Sequence, residues 1–157
     1  MPKDYGEKGK ILAIQLSEVK AFELSSLDKK TPPPHLSVWD ASLTTAEQAY
    51  SFLQENSPCK LVIRLNVAEI RKIEVVAENT NKYSYLLDVI WMHLLKESNG
   101  KTIRDCRPGA KGHSGITGLD EECTPEGLTN RQAKNFRKSL RFQLAELASK
   151  DHSLLDD

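Results

Sequence analysis

The chain has 157 residues, with 22 basic and 22 acidic side chains and 39% hydrophobic residues. A chain of this length can bury roughly 70% of its unfolded surface in one core without a metal or cross-link, so a single globular domain over 1–157 is expected, with flexible ends at 1–9 and 151–157 and no cofactor. Zero formal charge argues against a general polyanion binder, no apolar run approaches the ~20 residues that cross a bilayer, and the charged leader carries no apolar stretch. A cytoplasmic protein without a membrane role follows as the expectation.

The three cysteines, Cys59, Cys106 and Cys123, are odd in number and lack CxxC spacing, so they read as free thiols. Lys10 to Leu16 is a short apolar run that suits a buried strand. Asp28 to His35, with three consecutive prolines, reads as a loop, and Leu36–Trp39 as a brief extended piece. Thr44-Thr-Ala-Glu47 has capping-box spacing and predicts a helix from Thr45 to Glu55, its inner face formed by Ala46, Ala49, Tyr50 and Leu53. Lys60–Leu65, rich in β-branched and aliphatic residues between turn signals, predicts a central strand. Val67–Arg71 reads as a single helical turn, and Glu74–Glu78 as another strand.

Tyr83, Leu86, Leu87, Ile90 and Leu94 fall at helical intervals, and Asn99-Gly100 follows as a C-cap would, which predicts a helix over Tyr83–Lys96, although Val89-Ile90-Trp91 would also suit a strand. His93 then reads as a packing residue on an apolar helix. Asp120 to Gly127 is an acidic loop, and Leu128–Lys150 carries the strongest helix signal, with Thr129-Asn-Arg-Gln132 as its capping box and Ala133, Phe136, Leu140, Leu144 and Leu147 as its inward stripe. The expected fold is therefore α/β or α+β: one small domain with a mixed sheet of about four strands and three main helices, the longest at the C-terminus.

Gly109, Gly112, Gly115 and Gly118 recur at every third position, with His113 among them. Glycines cluster where the backbone needs positive φ or close approach, so this run is the first place to look for a site. It matches neither a P-loop nor a dinucleotide loop, and the Gly109-Ala-Lys-Gly112 likeness to a KH clamp lacks the helix that should follow it. A surface loop leading into a short strand, His113–Leu119, is the simpler expectation.

Between Lys101 and Arg141 there are nine basic and five acidic side chains. Arg107 and Lys111 flank the glycines, and Arg131, Lys134, Lys138 and Arg141 share one face of the last helix. Such cations can grip phosphates or an acidic protein. His113 could serve as a general acid or base, with Arg107 stabilising an anion. No histidine pair has zinc-helix spacing, so no metal site is expected.

The strings His35-Leu-Ser-Val-Trp-Asp-Ala-Ser-Leu-Thr-Thr-Ala-Glu-Gln-Ala49 and His113-Ser-Gly-Ile-Thr-Gly-Leu119, with the basic helix after them, resemble a scattered group of small bacterial proteins without an assigned activity. The resemblance implies a bacterial cytoplasmic protein and no particular reaction. The expectation carried forward is a noncatalytic accessory or binding protein that engages an acidic protein, nucleic acid or other phosphate-bearing partner through Arg107, Lys111, Arg131, Lys134, Lys138 and Arg141. The alternative is a small enzyme of phosphoester or nucleotide chemistry using His113 as general acid or base.

Overall fold

Among the described residues, short strands whose side chains alternate between two faces outnumber the helices. The computed structural model describes Tyr5 and residues 9–15, 32–52, 61–78, 80–148 and 152–154. In chain order the elements are β1 (Lys10–Gln15), β2 (His35–Asp40), α1 (Ala46–Ser51), β3 (Leu61–Asn66), α2 (Val67–Arg71), β4 (Glu74–Val76), β5 (Lys82–Ser84), β6 (Asp88–Trp91), β7 (Leu95–Ser98), β8 (Lys101–Arg104), β9 (His113–Thr117), α3 (Asn130–Ala148) and β10 (His152–Leu154). Short 3₁₀ turns cover Ala110–Gly112 and Glu121–Cys123.

The main sheet has six strands in the order β10-β3-β1-β2-β9-β6. Every pairing in it is antiparallel, where a smaller mixed sheet was expected. Two further hairpins, β4–β5 and β7–β8, stand apart from it. The tail extends the sheet: residues 152–154, expected to be loose, pair with β3, and Tyr5 in the supposedly flexible leader is buried.

Register decides which side chains meet. Ile11, Ala13, Val38, Ile63, Leu65, Val89 and Ile116 share one face of the sheet, and α3 lays Phe136, Leu140, Leu144 and Ala148 against that cluster. Burying each of the large side chains stabilises the fold by about 1.5–3 kcal/mol. The opposite face carries Leu12 and Trp39, which α1 covers with Ala46, Ala49 and Phe52. The Trp39 and Phe52 rings stack at 5.6 Å.

Both capping boxes form, one of them displaced. Thr129 and Gln132 exchange side-chain to backbone bonds at 3.1 Å as the spacing predicts. At α1 the reciprocal pair is Thr45 with Gln48, at 3.1 and 3.0 Å. Thr44 is free to donate its hydroxyl to the Gly109 carbonyl at 2.6 Å. The helix α1 ends at Ser51, and the remainder of the expected span to Glu55 lies outside the described residues.

The helix expected over Tyr83–Lys96 is absent: the segment forms β5, β6 and the start of β7. Tyr85 has a φ of 57°, which no helix accommodates. Val89-Ile90-Trp91 then pairs residue by residue with Ile116-Gly115-Ser114 of β9. Asn99-Gly100, read as a helix cap, is instead a two-residue hairpin turn with φ of 52° and 75°, and Ser98 pairs Lys101 across it. Positive φ at both central residues matches the twist of the flanking strands.

The short strand expected over His113–Leu119 forms as β9, His113–Thr117, but the glycines enter it as buried backbone rather than as a surface loop. Residues 112–116 are all buried, and β9 lies between β2 and β6. A Cβ at Gly115 would sit 2.7 Å from the His35 imidazole, and one at Gly109 would sit 2.8 Å from Gln48 Oε1. One at Gly112 would overlap the Thr44 hydroxyl, and one at Gly118 the Leu86 carbonyl oxygen. Four separate close approaches thus account for the regular spacing.

Candidate functional site

The chain between β8 and β9 is shaped by its own short-range bonds. Asp105 accepts from the Arg107 backbone N–H at 3.0 Å, an Asx-type turn, and its own N–H donates to the Leu94 carbonyl at 2.7 Å. Pro108 and Gly109 then occupy the centre of a turn closed by the Ala110 N–H to Arg107 carbonyl bond at 3.0 Å. Gly109, at φ 89° and ψ −13°, has the third-position geometry of a type II turn, which proline before it favours. Thr44 clamps this turn from the α1 side, and Trp91 clamps it from the other, its indole N–H donating to the Lys111 carbonyl at 2.7 Å.

Between this turn and the β7–β8 hairpin lies a cleft of about 690 Å³. Leu43, Trp91, Leu94, Pro108 and Ala110 give it apolar walls; Arg104, Arg107, Lys111, His93 and Asp105 supply its polar groups, with Cys106 beside them. The Trp91 and His93 rings meet edge to face at 4.8 Å and 72°.

Arg107 is already engaged. Its Nε donates to both Asp105 carboxylate oxygens at 3.0 Å, its Nη2 donates to Oδ2 at 2.5 Å, and its guanidinium carbon lies 4.7 Å from the Phe52 ring centroid. The Asp105 side chain is 1% exposed, so its charge depends on this partner. The Arg107 hydrogen bonds hold its carboxyl below the usual carboxylate range, against burial that acts the other way. This depressed value means the stabilisation is present above the ordinary carboxylate pKa and is lost as pH falls through the folded one. Asp105→Asn is expected to cost roughly 1–3 kcal/mol by leaving Arg107 half-covered without its counter-charge. Denaturant unfolding at neutral pH checks this, and an unchanged midpoint would show the pair to be dispensable.

Arg104 and Lys111 are exposed, and neither makes an ion pair among the described residues. These two cations and Arg107 therefore share one concavity, as the sequence could only suggest for Arg107 and Lys111. On α3, Arg131, Lys134 and Lys138 are exposed and Arg141 is half-buried. That helix rests on β3, β4 and α2, whereas the Arg107 turn rests on β2 and α1, so the two basic groups stand on different supports.

His113 lies inside the sheet, 2% exposed, and does not line the cleft. Its Nδ1 lies 3.1 Å from the Met92 carbonyl, which can only accept, so that nitrogen carries the proton. Nε2 then accepts from the Ser37 hydroxyl, also at 3.1 Å. Trp39 and His35 pack edge-on at 5.7 and 5.9 Å. Burial pushes its pKa down to about 4, with a smaller contribution from His35 in the same direction and the Met92 carbonyl opposing. The imidazole is thus held neutral and saturated with partners.

Several other buried polar groups are likewise tied within the fold, whereas the buried Trp39 indole N–H has no hydrogen-bond partner among the described residues. His35 Nδ1 donates to the Pro33 carbonyl at 2.8 Å. Tyr5 and Ser114 hydroxyls bond at 2.6 Å, and burial pushes the Tyr5 phenol up to about 12. Asp40 accepts from the Ser42 N–H and hydroxyl at 2.9 and 2.7 Å. Cys106 and Cys123 are free and exposed, while Cys59 lies outside the described residues.

Sequence reasoning missed Trp91 and His93 because both fell within a stretch read as helix. The aromatic-histidine alternation Trp91-Met-His93 after a β-branched pair was the available signal. Among the described residues, no helix is long and apolar enough to cross a membrane. Comparison with protein-family models, curated proteins and solved structures gives no match for this chain.

Proposed function

We propose that this chain is a binding protein that engages a phosphate-bearing, anionic partner through the cleft between the β7–β8 hairpin and the Arg107–Lys111 turn. The convergence of Arg104, Arg107 and Lys111 on that single concavity carries the reading. Arg104 and Lys111 have no competing counter-ion among the described residues, so their charges are available to a ligand. Arg107 contributes field and rigidity, its fork being occupied by Asp105. The exposed Arg131, Lys134 and Lys138 on α3 add attraction at longer range, which salt screens beyond ~8 Å. They act on encounter more than on the final hold.

Calorimetric titration with inorganic tripolyphosphate tests the proposal. The paired substitutions Arg104→Ala and Lys111→Ala are expected to weaken binding at least ~tenfold, since each removes a charge-assisted contact. Lys134→Ala with Lys138→Ala should change the salt dependence more than the affinity at low salt. Absence of any binding by the unaltered protein at low ionic strength would sink the reading. A phosphoester enzyme using His113 would need an imidazole that reaches the ligand, and both of its ring nitrogens are engaged inside the sheet.

A further inference from the structure

We infer that the ligand class of this cleft is a nucleoside phosphate, with the base held by Trp91 and His93 and the phosphates by Arg104 and Lys111. This rests on the anion-binding reading above and adds the chemistry of the other half of the ligand. The volume of about 690 Å³ falls within the roughly 300–1,000 Å³ of small-molecule sites. It suits one bounded ligand rather than a continuous polyanion.

The walls then narrow the class. Trp91 and His93 meet at 72°, so a planar heterocycle lying flat on one ring presents its edge to the other. Bases of any identity have a π-face to stack, and Leu94, Pro108 and Ala110 add apolar wall beside it. An acidic peptide would use the cations but not the ring corner, and a sugar phosphate would leave the apolar walls facing its hydroxyls.

The corner is also fixed in place before any ligand arrives. The Trp91 indole N–H donates to the Lys111 carbonyl at 2.7 Å, which ties the stacking ring to the residue bearing one of the phosphate-binding cations. The turn carrying Lys111 is held from behind by Thr44 on the Gly109 carbonyl. The stacking ring is thus fixed against the Lys111 backbone before binding, while the exposed Arg104 and Lys111 side chains are ordered by the phosphates themselves.

The test compares ADP, GDP, adenosine and pyrophosphate by calorimetry on the full chain. ADP and GDP are expected to bind at least ~tenfold more tightly than pyrophosphate, and adenosine more weakly than either nucleotide. His93→Ala leaves the Trp91–Lys111 bond intact and should weaken ADP severalfold without changing pyrophosphate. Trp91→Leu should bring ADP down to the affinity of pyrophosphate. Arg104→Ala should weaken both. If pyrophosphate binds through Arg104 and nucleotides bind no better, the nucleotide inference is overturned while the anion site stands. If neither binds, both readings fall together.

Discussion

Replacing Gly118 by alanine is expected to remove at least ~3 kcal/mol of stability, a large part of the roughly 5–15 kcal/mol that keeps a domain folded. Two costs coincide there. Gly118 has a φ of 99°, a conformation that L side chains rarely adopt, and a Cβ would be driven into the Leu86 carbonyl oxygen. That carbonyl is backbone, so it cannot swing aside as a side-chain tip would. Gly127 offers the control: its φ is 85° and nothing lies within 4 Å of the Cβ position. Gly127→Ala should therefore cost only the backbone term, roughly 1–2 kcal/mol. Denaturant midpoints of the two variants separate strain from collision, and equal losses would show that the contact with Leu86 costs nothing.

The second large effect is a dependence of stability on pH set by His113. The unfolded imidazole titrates near 6.5, the folded one near 4. Between those values the unfolded state holds more protons than the folded state, so stability rises with pH across that window. It is fully present above 6.5 and drains away as pH falls to 4. The difference of pKa corresponds to roughly 3 kcal/mol. His113→Gln, which keeps a donor and an acceptor but does not titrate, should flatten this part of the profile. An NMR titration of the His113 ring gives the direct measurement: a midpoint near the ordinary value would overturn the account, because it would mean that water reaches the ring.

How much of this was legible beforehand depends on which rule governed each segment. Lys60–Leu65, Lys10–Leu16 and Leu128–Lys150 were readable because local preference and burial pattern agree there, and β3, β1 and α3 follow them within two residues at each end. The helical spacing over Tyr83–Lys96 is a coincidence of parts of three strands, β5 and β6 being separated by a turn that contains the positive-φ Tyr85. What overrides propensity is β9, a partner some 25 residues further on whose pairing no local window contains. Asn99-Gly100 was correctly seen as punctuation but assigned to the wrong mark, since the same dipeptide ends helices and turns hairpins.

The candidate site was legible only in part, for a related reason. Arg107 and Lys111 could be marked from charge, but the aromatic half of the cleft depended on undoing the helix. His113 attracted notice because histidines beside glycines often face solvent or ligand. Here each glycine vacates space for a packed neighbour, His35 over Gly115 among them, and the result is a dry interior. The regular spacing recorded packing rather than chemistry.

The place of β9 between β2 and β6 also makes its two pairings close loops of very different length. Its contact with β6 closes a loop of roughly 25 residues, whereas its contact with β2 closes one of roughly 75, a difference worth about 1 kcal/mol of closure entropy. The β6–β9 pair is therefore the cheaper to form, and it carries the cleft turn within it. The cleft is complete only once β2 and α1 are also in place, because Leu43 lines it and Thr44 holds the Gly109 carbonyl, so its shape depends on the longer closure as well as the shorter one.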